Sequence, residues 1–358
     1  MTKMIQFELR KIFSKRLTQI ALIMILVFSA VLGFSSFQNK YAFDGISKEG
    51  SGKAAVEIDK EIAAKYEGLL TDEKVRQMMN DFSSNTDLHG MNATYLYHNA
   101  MQSAVFTRFS DTDGNWNGSS VADVFGGESI KIGYVDGWLT TSQNMVKIFL
   151  ILSLVVVIMI APVFCSEYGG VDNIILTSKY GRTKCSASKV GAGLIAAFIV
   201  TLAVVAANLL FAFVLYGKEG LDCSILFAPM PFGEGYIPFN MTCGTLLKYQ
   251  VLLAFTGTMS VAGITLLISA VSKNQMVAVV ASAAAYFFPM ILPLSETNPL
   301  FRYIGLLPMY HAQFVSLMSV EQMSNGVFYA VWAIPAAVIF VAIGIFVSRR
   351  VFAKHQVS

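Results

Sequence analysis

Apolar residues in this chain gather into six long stretches that contain no charged side chain: 17–39, 148–166, 190–217, 249–272, 274–295 and 322–348. Each reaches or approaches the roughly 20 residues a helix needs to cross the hydrocarbon core, where every backbone amide must find its partner within the segment. None alternates polar with apolar positions, so the strands of a membrane barrel are excluded and helices are predicted. The fold class is an all-α polytopic membrane protein with six transmembrane helices. The first stretch follows a basic start, as a signal peptide does, but its apolar run is too long and no clean cleavage pattern follows it.

Two further regions carry a helical period. In residues 1–16, Ile5, Leu9, Ile12 and Phe13 share one face while Lys3, Arg10, Lys11 and Lys15 lie elsewhere, which predicts an amphipathic helix along the inner membrane surface ahead of the span at 17–39. The segment 40–146 has ordinary soluble composition and is too long for a loop. Ala55, Ile58, Ile62 and Leu69 mark one helix in it, and Val75, Met78, Met79 and Phe82 mark a second, with Thr71 as its N-cap and Asp72 and Glu73 in its first turn. Residues 111–137 are rich in Gly, Asn, Asp and Ser and read as turns and short strands. A small α-rich extracellular domain is predicted, followed by five spans within 147–348 and a tail at 349–358.

Composition agrees and adds a direction. The chain is 55% hydrophobic and 14% charged, against about 25% charge in a soluble domain. Its net charge of +3 in so apolar a chain gives no case for nucleic acid. On one face, Lys3, Arg10, Lys11, Lys15, Arg16, Lys179, Arg182, Lys184, Lys189, Lys273, Arg349, Arg350 and Lys354 face only three acids, Glu8, Glu167 and Asp172, which leaves that face at +10 and the other at −7. By the positive-inside rule both termini are cytoplasmic. Cys165 and Cys185 then lie inside and should be free. Cys223 and Cys243 lie outside, where either a disulfide or close packing of two small side chains would account for them.

The connections after the third and fifth spans are unusually apolar. Phe227, Pro229, Pro231, Phe232, Ile237, Pro238 and Phe239 stand in one, and Pro299, Leu300, Phe301, Ile304, Leu306, Leu307 and Pro308 in the other. Both are predicted to sit at the interface or dip into it, where irregular backbone must be buried in protein or line a cavity.

Enzymatic motifs are missing. The nearest approach to a phosphate-binding loop, Gly50-Ser51-Gly52-Lys53, lacks the upstream glycine and has Ala54 where a hydroxyl should reach magnesium. Neither H-E-x-x-H nor G-x-S-x-G occurs, and His89, His98, His311 and His355 form no helical metal pair; a surface or loop role is expected for them. The six spans hold no ionisable group of the kind that drives an ion-coupled carrier. A chain of this kind that moves a cargo must take its energy from a partner.

The cytoplasmic connection 165–189 points to such a partner. It holds Glu167 at the membrane exit, a turn at Gly169-Gly170, a short apolar helix with Val171, Ile174 and Ile175 on one side, then Gly181-Arg182 and Lys189. An ordinary positive-inside loop explains the cations, but not the glutamate, glycines and apolar triplet together. This arrangement resembles the first intracellular loop of ATP-binding-cassette (ABC) permeases of the type-two exporter family. The likeness extends to the N-terminal helix, to six spans, to Leu306-Leu307-Pro308 after the fifth span, and to Asp136-Gly137-Trp138 before the second. The chain departs from many such permeases in its long insertion between the first two spans.

The resemblance implies a membrane-spanning permease subunit, two copies or one copy and a homologue, above separate ABC ATPase chains that bind ATP and magnesium; this chain would carry no cofactor and no catalytic residue. Glu167, Gly170, Val171, Ile174, Ile175 and Arg182 would form the coupling element, with Glu167 paired to a base of the N-terminal helix. Uncharged aromatic-rich spans suit a hydrophobic or amphipathic cargo, such as an antimicrobial peptide or a drug, exported across a bacterial cell membrane. Asn208, Phe211, Phe255 and Tyr286 are candidate pathway residues, although such residues more often serve packing. A peptide sensor signalling to a cytoplasmic partner, and a lipid exporter, are the alternatives.

Overall fold

A computed structural model of the protein describes residues 2–83, 98–168, 170, 172–178, 180–229, 239–324 and 329–354. Among the described residues five helices are long and apolar enough to cross a membrane, and the architecture is that of a helical multi-pass membrane protein. The chain begins with α1 (Thr2–Ser14), turns at Lys15 and enters the first long helix, α2 (Arg16–Gln38).

The segment between the first two long helices carries the two predicted helices, α3 (Lys53–Tyr66) and α4 (Asp72–Ser83), with α5 (Ala100–Phe109) and α6 (Val121–Phe125) after them. Thr71 caps α4 as its spacing indicates, its Oγ1 accepting from the Lys74 amide at 3.2 Å. Two minimal antiparallel ladders complete the segment. Strand β1 (Tyr41–Phe43) pairs with β2 (Glu49–Ser51), Tyr41 opposite Ser51, and β3 (Gly68–Leu69) pairs with β4 (Lys131–Ile132). The glycine- and asparagine-rich stretch thus holds one short helix as well as turns and a strand.

Helix α7 (Asp136–Ile160) starts twelve residues before the predicted span because hydropathy discounts the polar turns that open it. Its break at Pro162, which has no amide hydrogen to give, leads into α8 (Pro162–Cys165). After α9 (Asp172–Thr177), a five-residue π turn over Gly181–Cys185 feeds directly into α10 (Ser186–Tyr216). Then come α11 (Cys243–Val271) and α12 (Gln275–Ile291). With 17 residues and Pro289 inside, α12 is shorter than the five long helices.

The connection after α12 folds as α13 (Phe301–Ile304), α14 (Pro308–His311), α15 (Phe314–Leu317) and α16 (Glu321–Ser324). Phe301 and Pro308 are buried, in keeping with a connection that packs back into the protein. His311, for which a surface or loop role is expected, lies in this connection but is buried: Nδ1 shares a hydrogen bond with Thr256 Oγ1 at 2.9 Å and Nε2 with the Leu306 carbonyl at 3.1 Å. The predicted span at 322–348 takes in the end of α16, residues 325–328, which lie outside the described residues, and most of α17 (Tyr329–Lys354). Helix α17 also runs on through Arg349 and Arg350, so most of the expected tail is helical.

Helices α11 and α17 form the most extensive pair in the bundle. They touch through backbone: a Cβ on Gly344 would lie 2.3 Å from the Gly263 carbonyl oxygen. Small residues permit this approach, as in other membrane helix pairs.

Ion pairs join the segment between α2 and α7 to the ends of the long helices. Lys40, just past α2, pairs with Asp136 at the start of α7; Lys60 on α3 pairs with Glu219 beyond α10 at 2.9 Å; and Lys131 on β4 pairs with Asp222. The Trp138 indole donates to the Glu219 carbonyl at 2.7 Å. Asp59 lies buried near this junction, one carboxylate oxygen accepting from the Ala100 amide at 2.9 Å. Burial pushes its pKa up to about 6, although the Ala100 bond and the charge of Lys40 pull the other way.

An aspartate in the unfolded chain titrates near 4, so the folded state holds a proton between about pH 4 and 6 that the unfolded chain has released. This group therefore contributes stability that is complete below about pH 4 and lost as pH rises through 6, about 3 kcal/mol in all. Asp59→Asn keeps the acceptor and removes the titration. Thermal midpoints of the full chain should fall from pH 4.5 to 7 by less in the variant than in the parent, and identical pH profiles would contradict the assignment.

Candidate functional site

The strongest concentration of buried charge lies where α1, α8 and α10 meet. Helix α1 packs lengthwise on the start of α10, where Ile5, Leu9 and Ile12 form its apolar stripe and Gly191 of α10 leaves room for Ile5. Glu8 falls within that stripe, one helical turn from Ile5 and from Ile12, and is buried with it. Lys189, in the first turns of α10, is 0% exposed.

The Lys189 ammonium bonds Glu167 Oε1 at 2.6 Å, both oxygens of Glu8 at 3.2 and 3.3 Å, and the Val163 carbonyl at 3.3 Å. Lys11 reaches the same Oε1 of Glu167 from α1. Burial alone would lower the Lys11 pKa, but its bond to Glu167 and the charges of Glu167 and Glu8 outweigh this and raise it. Two cations and two carboxylates thus form a closed neutral set. Isolated charges could not be buried here, since the desolvation of each ion is compensated only by its partners. One atom is left over: Glu167 Oε2 is buried without a hydrogen-bond partner.

The loop between α8 and α10 is held from two more sides. Ser269 of α11 spans the break at Pro162, accepting from the Phe164 amide at 3.0 Å and donating to the Ala161 carbonyl at 2.5 Å. The Tyr168 hydroxyl donates to the Ala270 carbonyl at 2.7 Å. Phe352 of α17 stacks on Tyr168 and packs against Phe164, with ring centroids 6.2 and 5.1 Å apart. Arg182 donates through Nε to the Leu176 carbonyl at 3.3 Å and through a guanidinium nitrogen to the Ala353 carbonyl of α17.

The six predicted coupling residues therefore divide. Glu167 is buried in the ion cluster and pairs with a base of α1, as its position suggests. Ile174 stands outward on α9, 73% exposed. Gly170 is exposed, with open space where a Cβ would stand. Arg182 is exposed and ties the end of α9 to α17. Val171 and the Ile175 side chain lie outside the described residues.

The other predicted sites come out differently. An antiparallel bridge between Ser224 and Thr242 sets Cys223 opposite Cys243, whose amide donates to the Cys223 carbonyl at 3.0 Å. Both are buried free thiols, so the packing alternative describes them. The four candidate pathway residues do not share a channel. Asn208 bonds the Val204 carbonyl at 2.8 Å and Ser29 of α2 at 3.4 Å, and with Phe211 it walls a void of about 20 Å³ beside Gly33. Phe255 packs on Phe198, centroids 5.0 Å apart, and Tyr286 borders a separate void of about 10 Å³. Voids of this size hold a water at most.

Sequence reasoning missed Lys189 and Glu8 as a buried pair. The available signal was Glu8 itself, an acid set on an otherwise apolar helical stripe. Comparison of the chain with protein-family models, with curated proteins and with solved structures finds no match.

Lys189→Met keeps the length of the side chain and leaves Glu8 and Glu167 without their fully buried cation. Removing one partner of a buried pair costs about 3–5 kcal/mol. The thermal midpoint should fall sharply, and Lys189→Met combined with Glu8→Gln should recover part of the loss because it removes the excess carboxylate. Additive losses in the double variant would disprove a shared network.

Proposed function

We propose that the chain is the membrane-spanning subunit of an ATP-driven exporter of the ABC type-two family, with α12 as a sixth span, both termini in the cytoplasm and the segment 40–146 outside the cell. The observation that carries this reading is the exposed Ile174 on α9, a short helix whose loop is anchored to α1, α10, α11 and α17. An apolar knob on a freely hinged loop would absorb a push. Braced in this way, it passes displacement to four helices at once.

In this mechanism separate ATPase subunits bind ATP and magnesium, close, and press on α9. The ion cluster moves α1 and α10 with the loop, while Tyr168, Arg182 and Phe352 carry α11 and α17 with it. The cargo is a hydrophobic or amphipathic molecule, such as a peptide or drug, and the second half of the pathway comes from another copy or a homologue. A lipid cargo fits the same mechanism. A sensing role draws on a different observation, the ion pairs Lys40–Asp136, Lys60–Glu219 and Lys131–Asp222 that join the domain between α2 and α7 to the long helices.

Ile174→Asp places a charge where an apolar contact with the ATPase would form, and about tenfold less ATPase activity should copurify with the full chain from its own cells. Membrane yield and thermal midpoint should stay unchanged, since Ile174 is exposed. Undiminished ATPase copurification would overturn the coupling role. Ligand binding to the domain between α2 and α7 without flux in vesicles would favour sensing.

A further inference from the structure

A cavity of about 250 Å³ lies between the short helices that follow α12 and the start of α17. Arg302 and Tyr303 of α13, Gln322 and Met323 of α16, and Tyr329 and Trp332 of α17 line it. It is smaller than the several hundred cubic ångströms of pockets that enclose drug-sized molecules. Its size suits a compact polar group, and its lining says which kind.

Arg302 is exposed, and among the described residues its guanidinium pairs with no carboxylate; Nε donates to the Pro299 carbonyl at 3.1 Å. Glu321 neighbours Gln322 in the chain, yet it is not among the lining residues. The other guanidinium nitrogens remain for an anion, and arginine's planar donor fork matches phosphate. Around it the aromatic rings are those that favour a membrane–water boundary, with Tyr303 and Trp332 both more than half exposed.

Below the cavity mouth the exposed face of α17 continues as Val331, Ile334, Val338 and Ile339, an uninterrupted apolar strip. This end of α17 is opposite the end that carries Arg349, Arg350 and Lys354. A cation in a headgroup-sized hollow, an aromatic rim and an apolar strip along the span form the outline of a phospholipid.

We propose that this cavity is a binding site for the phosphate of a membrane phospholipid, Arg302 holding the phosphate and the α17 strip an acyl chain. Trp332 serves as the anchor at the glycerol level and as a built-in reporter. The proposal goes beyond the exporter reading and stands without it, since it needs only that α17 cross a membrane.

The test uses the full chain in dodecyl maltoside micelles, where no other phosphate competes. Fluorescence quenching of Trp332, taken as the difference between the parent and Trp332→Phe, is titrated with dibrominated phosphatidylglycerol and with dibrominated diacylglycerol, which lacks the phosphate. The phospholipid should quench at about tenfold lower mole fraction, the worth of one good charge-assisted contact. Arg302→Gln should abolish that preference, and Arg302→Lys should keep part of it.

Glycerol phosphate in the buffer separates two sources of the same chemistry. Failure to displace the brominated phospholipid supports a lipid site, whereas displacement means that the site takes free phosphate esters and overturns the lipid assignment. Equal quenching by both brominated lipids, or a preference that survives Arg302→Gln, would overturn the phosphate site altogether. Neither result bears on Ile174 or on ATPase copurification.

Discussion

A lysine with no exposed surface, placed between two glutamates, is the constraint around which the cytoplasmic end of this protein is built. Lys189 cannot be buried alone, so Glu8 and Glu167 must come to it, and with them come an entire N-terminal helix and the loop that leaves the second long helix. The apolar stripe of α1 would otherwise be satisfied by any lipid surface. Charge pairing makes its seat on α10 specific, because only one position puts Glu8 within reach of the ammonium.

The ion cluster and the aromatic contacts at Phe352 divide the work of holding the loop. Aromatic packing tolerates sliding, since dispersion and burial change slowly with small lateral shifts. Buried ion pairs tolerate it poorly, because a carboxylate parted from its cation in a low-dielectric setting is left with its desolvation uncompensated. The α1–α10 side of the loop is thus the stiff side and the α17 side the compliant one. The unpartnered Oε2 of Glu167 sits on the stiff side, so this carboxylate can accept a further donor without giving up either cation.

Much of the fold was legible because the bilayer imposes length and apolarity on anything that crosses it, and five of the six predicted stretches correspond to long helices. The errors have a common physical origin. Hydropathy ends a span at the first charge, yet backbone hydrogen bonds do not, so α17 continues through Arg349 and Arg350. It also cannot locate a helix start within an apolar run, so the predicted stretch 322–348 takes in residues of α16 as well as α17. Thr71 was legible because a cap is a local bond between neighbours. The Lys189–Glu8 pair was not, since the partners stand 181 positions apart and a lone acid near a terminus looks like surface charge. Arg182 also answers open carbonyls at helix ends, a demand that composition does not reveal.

The crossing of Gly263 and Gly344 has a consequence for any route through the bundle. With two backbones in contact, α11 and α17 form a seam with no space for a side chain, still less for a cargo. That seam behaves as a single double-width beam, and motion on either side of it must carry both helices together.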